Sequence, residues 1–254
     1  SFKMYTAYDG IRVTDAQMLR ALRALKRAGG LPIVHAETHD LIMDRVAECR
    51  AMGAAGHDAR WQPYTRCVLG EQEATNRVAM LAEAVGVPAG LHIVHVTARL
   101  ALPTFLAAQQ RPLANGMGPI TGEVCMQHLL LTDAVYHQGH AVSCDFVCAP
   151  PLRPQDDVDA MWVAAAAGTL KFVVTDHCAF TKQQRRGLRR TAEYRKHWDA
   201  EGRCDVTRAA DRESEQQRQH EQQQLVPGHG ERPHRAGAAG GRCGNHDNGC
   251  GPRA

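Results

Sequence analysis

Apolar residues recur at two different spacings along residues 1–187, and the two spacings alternate. Between 15 and 30, leucine and methionine fall three or four positions apart, which predicts a helix that Thr14 or Asp15 can cap. The same spacing predicts helices over 71–86, 98–110 and 155–168. Short apolar and β-branched runs predict buried strands over 31–37, 90–97 and 170–178, with another within 112–126. Helices that alternate with such strands indicate a parallel α/β architecture.

The segment 188–254 shows neither spacing. It has few large apolar residues and is rich in Arg, Gln, Glu, Gly and His, as in "ESEQQRQHEQQQ". Such a segment cannot bury enough apolar surface to offset the entropy that ordering would cost. We therefore expect one partial domain over 1–187, followed by a low-complexity, disordered tail. Cys243, His246 and Cys250 lie close together in that tail, but they lack a fourth ligand at fixed spacing and do not indicate a zinc knuckle.

Composition excludes several classes of protein. The 254 residues carry a net charge of +3, with 44% hydrophobic and 22% charged residues, as in ordinary globular proteins. The small net charge argues against a nucleic-acid partner, and no apolar run reaches the roughly 18 residues that a membrane span needs. The nine cysteines are odd in number and irregularly spaced, which predicts reduced thiols and a cytoplasmic protein.

Three candidate metal ligands fall at the ends of predicted strands. His35 and His95 each follow an apolar run, and Asp176 follows a third. The carboxyl ends of parallel strands meet at one edge of a sheet, where active sites of such folds form. Neutral imidazole nitrogens and a carboxylate suit zinc and similar ions. Lys3 is less expected, because it lies within the first apolar run, five residues before Tyr8.

Six motifs occur in the order seen in the cyclic amidohydrolases, and the chain is most similar to their dihydropyrimidinase and hydantoinase branch. The motifs are "SFKMYTAY", "VHAE", "IVHVT", "GEVCMQHLLLTDAVY", "APPLR" and "TDHCAF". This resemblance covers residues 1 to about 187. It implies a metal-dependent (β/α)8 barrel, of which this chain holds about strands four to eight, and the hydrolysis of a hydantoin or dihydropyrimidine ring at its amide C–N bond. It also implies a homotetramer that acts on a small cyclic ureide or amide.

The resemblance assigns a role to each candidate residue. Lys3 corresponds to a lysine that is carbamylated and bridges two divalent metal ions, expected to be zinc. His35 and His95 correspond to ligands of the second metal, and Asp176 to a ligand of the first metal that also transfers the proton. Tyr8 corresponds to the tyrosine that stabilises the oxyanion. Metal-activated water would then attack the ring carbonyl carbon.

The chain also departs from the family pattern. Substrate is held there by main-chain groups just before "PPLR", a position that is Ala149 here and commonly serine in the family. The His-x-His pair of the first barrel strand is absent, so we expect the first metal site to be incomplete and the chain not to be fully active. The similarity fades near residue 188, and we hypothesise a frameshift there, which translation of the other two reading frames would test.

Three alternative functions stay open. Allantoinase and dihydroorotase belong to the same class of enzyme, although Tyr8 favours the hydantoinase branch. A non-catalytic dihydropyrimidinase-like scaffold protein would use the same fold without its metal ligands, and bound metal would distinguish it. An α/β domain without any functional site is the third alternative. It would require that four residues match the family's metal ligands at strand ends by coincidence. We further expect His39, His57 and His128 to be surface residues.

Overall fold

The computed structural model describes residues 1–53 and 58–177, and within them five parallel strands form one sheet. The strands are β1 (Phe2–Tyr5), β2 (Pro32–His35), β3 (Leu91–Ile93), β4 (Ile120–Cys125) and β5 (Phe172–Val174). They pair in chain order, β1-β2-β3-β4-β5. Consecutive parallel strands that pair in chain order form an arc of a (β/α)8 barrel. The predicted parallel α/β architecture is confirmed, whereas the predicted disordered tail lies outside the described residues.

Helices connect the strands, as parallel pairing requires. The helices are α1 (Asp15–Ala28), α2 (His39–Ala51), α3 (Gln62–Thr65), α4 (Val68–Val85), α5 (Leu102–Gln110), α6 (Met126–Leu130), α7 (His140–Ser143) and α8 (Gln155–Ala166). Short 3-10 helices cover Ala59–Trp61, Arg99–Ala101, Ala114–Gly116, Asp133–His137 and Cys144–Phe146. No described helix is both long enough and apolar enough to span a membrane.

The first helix begins and ends where its sequence predicts. The Thr14 hydroxyl accepts a hydrogen bond from the Gln17 backbone N–H, and the Gln17 side chain accepts one from the Thr14 N–H. This reciprocal pair is a capping box, which satisfies donors that a helix start leaves unpaired. Gly29 ends the helix in the left-handed region, with φ of 66°, where a residue without Cβ is favoured.

Side chains alternate between the two faces of the sheet. One face is apolar and packs against the helices; its buried members include Met4, Val34, Leu91, Ile93, Ile120 and Val124. The register places Lys3 beside Ile33, Tyr5 beside His35 and His92 beside Thr121 on the opposite face. We call these two surfaces the helix face and the polar face of the sheet. In a barrel, the polar face lines the interior.

Gly122 lets a helix approach β4 closely. A Cβ at this position would lie 2.8 Å from side-chain atoms of both Phe105 and Leu170. Phe105, from α5, is completely buried on the helix face. A larger residue at 122 would therefore displace the aromatic ring that covers this part of the sheet.

The strands are shorter than their apolar runs. The run 90–97 predicts a strand that ends at His95, but β3 ends at Ile93. The run 170–178 likewise contains a strand of three residues, Phe172–Val174. His95 and Asp176 both adopt left-handed backbone conformations, with φ of 40° and 45°, which end the extended geometry before each of them.

The described cysteines agree with the expectation of reduced thiols. Five are free, at positions 49, 67, 125, 144 and 148. The other four lie outside the described residues, so the prediction is confirmed for these five only.

Candidate active site

Two of the predicted ligands meet at the carboxyl ends of neighbouring strands. His35 is the last residue of β2, and His95 follows β3. The two residues are buried, with 2% and 3% of their surface exposed. The Nδ1 atom of His35 lies 2.9 Å from the Nε2 atom of His95. The two residues are 60 positions apart, so the parallel pairing of β2 with β3 is what brings them together.

A buried carboxylate fixes the orientation of His35. Glu37 lies two residues after it, and its Oε2 atom is 2.7 Å from His35 Nε2. An ionised carboxylate can only accept, so His35 Nε2 donates to Glu37, and in the neutral His35 ring Nδ1 accepts from His95 Nε2. Glu37 was missed as a site residue from the sequence. The signal was its place in "VHAE", two residues after a candidate ligand.

Burial and neighbouring charges set the protonation of this group. Burial alone would raise the pKa of Glu37, but the Arg66 guanidinium, the His35 hydrogen bond and charge, and Arg153 hold that pKa well below its usual range. Burial, and then the charge of His35, lower the pKa of His95 well below its usual value. The carboxylate is therefore ionised and the His95 imidazole neutral, as a metal ligand must be.

Tyr8 lies against the same histidine. Its ring centroid is 4.9 Å from that of His35, and the ring of Tyr5 is 6.0 Å from that of Tyr8. On another side, the guanidinium carbon of Arg66 is 5.0 Å from the Tyr8 ring centroid. Three of the predicted site residues, Tyr8, His35 and His95, thus form one cluster.

Lys3 lies in β1 and Asp176 just beyond β5, the two outer strands of the described sheet, and among the described residues Asp176 is not grouped with His35 and His95 as a metal site. The Lys3 Nζ lies 5.4 Å from the Tyr5 ring centroid, and its charge is one of those that lower the pKa of His95. Asp176 is exposed just beyond β5. Burial, and then the charge of Asp176, raise the pKa of the Cys125 thiol to about 12, while Lys3 opposes that rise. The charges of both residues therefore act on Cys125, at the end of β4.

Backbone strain is concentrated at the predicted residues. Four described residues other than glycine have a clearly positive φ, and three of them are Tyr8, His95 and Asp176, with φ of 75°, 40° and 45°. The left-handed region costs such residues about 1–3 kcal/mol, and residues held there cluster at functional sites. The fourth is Asn115; Asn, Asp and His all adopt this region more readily than other residue types, so Tyr8 carries the largest expected strain of the four.

The loop around Ala149 lies beside a second buried histidine. Ala149 is partly buried and joins Pro150 through a cis peptide bond. His128 donates from Nε2 to the Pro150 carbonyl, 3.1 Å away. His128 and His39 are buried, 4% and 7% exposed, so the expectation that they are surface residues is wrong. Both lie in contact with buried polar partners, which sequence spacing does not reveal; His57 lies outside the described residues.

Besides the pair of Arg66 with Glu37, a second buried ion pair holds the segment that follows His95. Arg153 Nη2 is 3.0 Å from Glu71 Oε2, and both side chains are almost completely buried. Glu71 also accepts hydrogen bonds from the backbone N–H groups of Thr97 and Ala98, at 2.6 and 3.0 Å. This network anchors the chain that follows His95 to α4.

The donor set suits a divalent metal ion. Two nitrogens bound to one tetrahedral zinc ion are about 3.3 Å apart, close to the 2.9 Å between His35 Nδ1 and His95 Nε2. His35 donates a hydrogen bond from its other ring nitrogen, Nε2, to the Glu37 carboxylate, as metal-binding histidines usually do. No group of three or more His, Cys, Asp or Glu side chains in the described part of the chain is arranged to hold a metal ion. The described residues therefore bring together two imidazole ligands, and the ligand roles of Lys3 and Asp176 stay predictions.

Comparison with known proteins identifies relatives over most of the chain, although no family model matches it. The chain is 35% identical over 181 residues to a D-hydantoinase of Streptomyces coelicolor, a match that covers 71% of this chain and 37% of that protein. It is 35% identical over 185 residues to a D-phenylhydantoinase of Escherichia coli, which covers 73% of this chain and 38% of that protein.

A solved structure agrees with these relatives. The dihydropyrimidinase of Brevibacillus agri superposes with a TM-score of 0.68 at 26% identity, covering 82% of this chain and 40% of that one. The chain thus spans less than half the length of each protein compared here.

Proposed function

This chain is related to the dihydropyrimidinase and D-hydantoinase branch of the cyclic amidohydrolases, and on that premise we propose that its protein hydrolyses the amide C–N bond of hydantoin or dihydropyrimidine rings. The observation that carries the proposal is the convergence of His35 Nδ1 and His95 Nε2, 2.9 Å apart, with Glu37 fixing the tautomer of His35. This arrangement brings two imidazole nitrogens to a spacing at which one metal ion can bind both, with Glu37 orienting one ring.

Lys3, His35, His95 and Asp176 would contribute ligands to two divalent metal ions, for which zinc suits the donors, with the first of the two sites incomplete in this chain. Lys3 would bind metal in its carbamylated form, because carbamylation turns the cationic amine into an anionic group with oxygen donors. Such ions lower the pKa of water and polarise a carbonyl, which supplies the nucleophile and the electrophile of a hydrolysis. The support for this ligand set is the buried histidine pair, together with the places of Lys3 in β1 and of Asp176 just beyond β5.

The protein side chains would carry the remaining steps. The Tyr8 hydroxyl would donate to the ring carbonyl oxygen as negative charge develops on it, and its place against His35 supports this role. Asp176 would accept a proton from the attacking water and deliver it to the ring nitrogen as the C–N bond breaks. Main-chain groups at Ala149 would orient the ring. Water is thereby added across the amide, giving a carboxylate and a free N–H.

The test uses the complete reading frame that encodes this chain, assayed with hydantoin and dihydrouracil and analysed for bound metal. We expect ring opening, bound zinc, and loss of at least about 100-fold of the activity in both Lys3→Ala and His95→Ala. Ring opening that survives Lys3→Ala would refute the bridging role of that residue. A protein that holds no zinc and opens neither ring would instead support the scaffold alternative. Light scattering on the same sample tests whether the protein is a homotetramer.

A further inference from the structure

Arg66 contacts two proposed site residues from a segment that the function above does not use. It follows α3 and is 7% exposed. We propose that Arg66 is a positioning residue, which holds Tyr8 and His35 in one rigid unit through Glu37. The inference rests on the proposed function, because the roles of Tyr8 and His35 come from there, but its geometry can be tested without any turnover.

Arg66 and His35 share one carboxylate oxygen. Glu37 Oε2 lies 2.6 Å from Arg66 Nη1 and 2.7 Å from His35 Nε2. Both hydrogen bonds are charge-assisted and shielded from water, so they are strong and directional. Because Arg66 fixes the position of that oxygen, it also fixes the tautomer of His35 and the direction in which Nδ1 points.

Arg66 also contacts the tyrosine directly. Its guanidinium carbon is 5.0 Å from the centroid of the Tyr8 ring, within the range of a cation–π contact. The Tyr8 ring therefore has His35 and Arg66 as neighbours, and both of these groups bond to Glu37. A shift of Arg66 would change the orientation of the tyrosine and the histidine together.

Two hydrogen bonds hold the backbone of Arg66 in place. Its carbonyl oxygen accepts a hydrogen bond of 2.5 Å from Arg153 Nη1, and its N–H donates to the Gln62 carbonyl at 3.1 Å. Arg153 is itself paired with Glu71. A side chain that positions two others must have few alternative positions, and this buried support provides that.

Arg66→Lys in the protein encoded by the complete reading frame is the sharpest variant. Lysine keeps the charge but lacks the planar fork that can bond a carboxylate and stack on a ring at once. Arg66→Ala is avoided, because it would leave Glu37 buried without a charge partner and could unfold the protein. The matched control is Arg45→Lys, since the Arg45 guanidinium lies 4.8 Å from the Tyr64 ring and donates to the Tyr64 carbonyl at 2.8 Å, outside the site.

The first measurement is nitrogen-15 NMR of the histidine rings in the metal-free chain. We expect His35 to carry its proton on Nε2 in the wild type and in Arg45→Lys, and to become a mixture of tautomers in Arg66→Lys. The second is zinc affinity by chelator competition, for which we expect a loss of about 10–100-fold in Arg66→Lys only. Ring opening should then show a lower kcat with KM little changed, because Tyr8 acts in the transition state.

The outcomes separate this inference from the proposed function. If Arg66→Lys matches Arg45→Lys in the His35 tautomer and in zinc affinity, Arg66 is not a positioning residue. If the wild type binds no zinc and opens no ring, the proposed function fails, while the tautomer measurement still decides the role of Arg66. Thermal unfolding of both variants shows whether an effect comes from general destabilisation instead.

Discussion

The two faces of the sheet use the same strands for different purposes. On the helix face, Met4, Val34 and Ile93 are buried among other apolar side chains. On the polar face, His35 bonds to His95 and Glu37, and His92 lies within hydrogen-bond distance of Thr121 and Glu123. Successive residues of one strand therefore face an apolar core and a network of hydrogen bonds.

The difference between the faces is one of free energy. A large apolar side chain contributes about 1.5–3 kcal/mol when it is fully buried. A buried charged group gains little net stability even when it is paired, because it loses its hydration. The helix face therefore stabilises the sheet, and its stabilisation allows the polar face to keep Glu37 and His35 away from water in a functional geometry.

The largest expected effects come from one substitution on each face. Phe105→Ala removes the ring that packs against Gly122 and should lower the free energy of unfolding by about 3–5 kcal/mol, while zinc affinity stays near that of the wild type.

His35→Ala, on the polar face, should lower the free energy of unfolding by a smaller amount, about 1–3 kcal/mol, and abolish zinc binding. Urea unfolding and chelator competition measure the two quantities. If the His35→Ala variant still bound zinc, the claim that the polar face binds the metal would be wrong.

An effect of comparable size, which appears only at acid pH, is expected from His128, a buried histidine in α6. Burial lowers the pKa of His128 to about 4, whereas the unfolded value is 6.5. Between those two pH values the unfolded chain takes up a proton that the folded chain does not, so stability falls as the pH falls. The loss reaches about 3 kcal/mol near pH 4 and is absent above pH 6.5.

His128→Gln isolates this contribution, because glutamine can still donate to the Pro150 carbonyl but does not titrate. The difference in unfolding free energy between the wild type and this variant is measured from pH 7 to pH 4. A constant difference would show that His128 is protonated equally in both states.

The smallest expected effect concerns the placement of a helix that covers the helix face. Thr14→Ala removes the hydroxyl of the capping box and should cost about 1 kcal/mol, with no change in zinc affinity. Thr14→Ser is the matched control, since it keeps the hydroxyl and should be nearly neutral. A loss as large as that of Phe105→Ala would mean that the cap does more than begin α1.

Much of the fold followed from local patterns. The alternation of helical and extended spacing predicts the helices over Asp15–Ala28, Val68–Val85 and Gln155–Ala166 and the strands β2, β3, β4 and β5. Strand ends were less accurate, because left-handed conformations at His95 and Asp176 end the extended geometry early. The motifs also named His35 and His95, which the fold brings together, whereas the ligand roles of these and of Lys3 and Asp176 stay predictions.

The sequence by itself determined which residue types stand at the strand ends, because periodicity and strand boundaries are local properties of the chain. Only the tertiary structure decided how those residues meet. Arg66 reaches Glu37 across 29 positions, His95 reaches His35 across 60, and Arg153 reaches the Arg66 carbonyl across 87. Such contacts depend on parallel register and on loop conformation, which no short stretch of sequence specifies. They turn separate candidate residues into one network, and they revealed Glu37 and Arg66 as members of it.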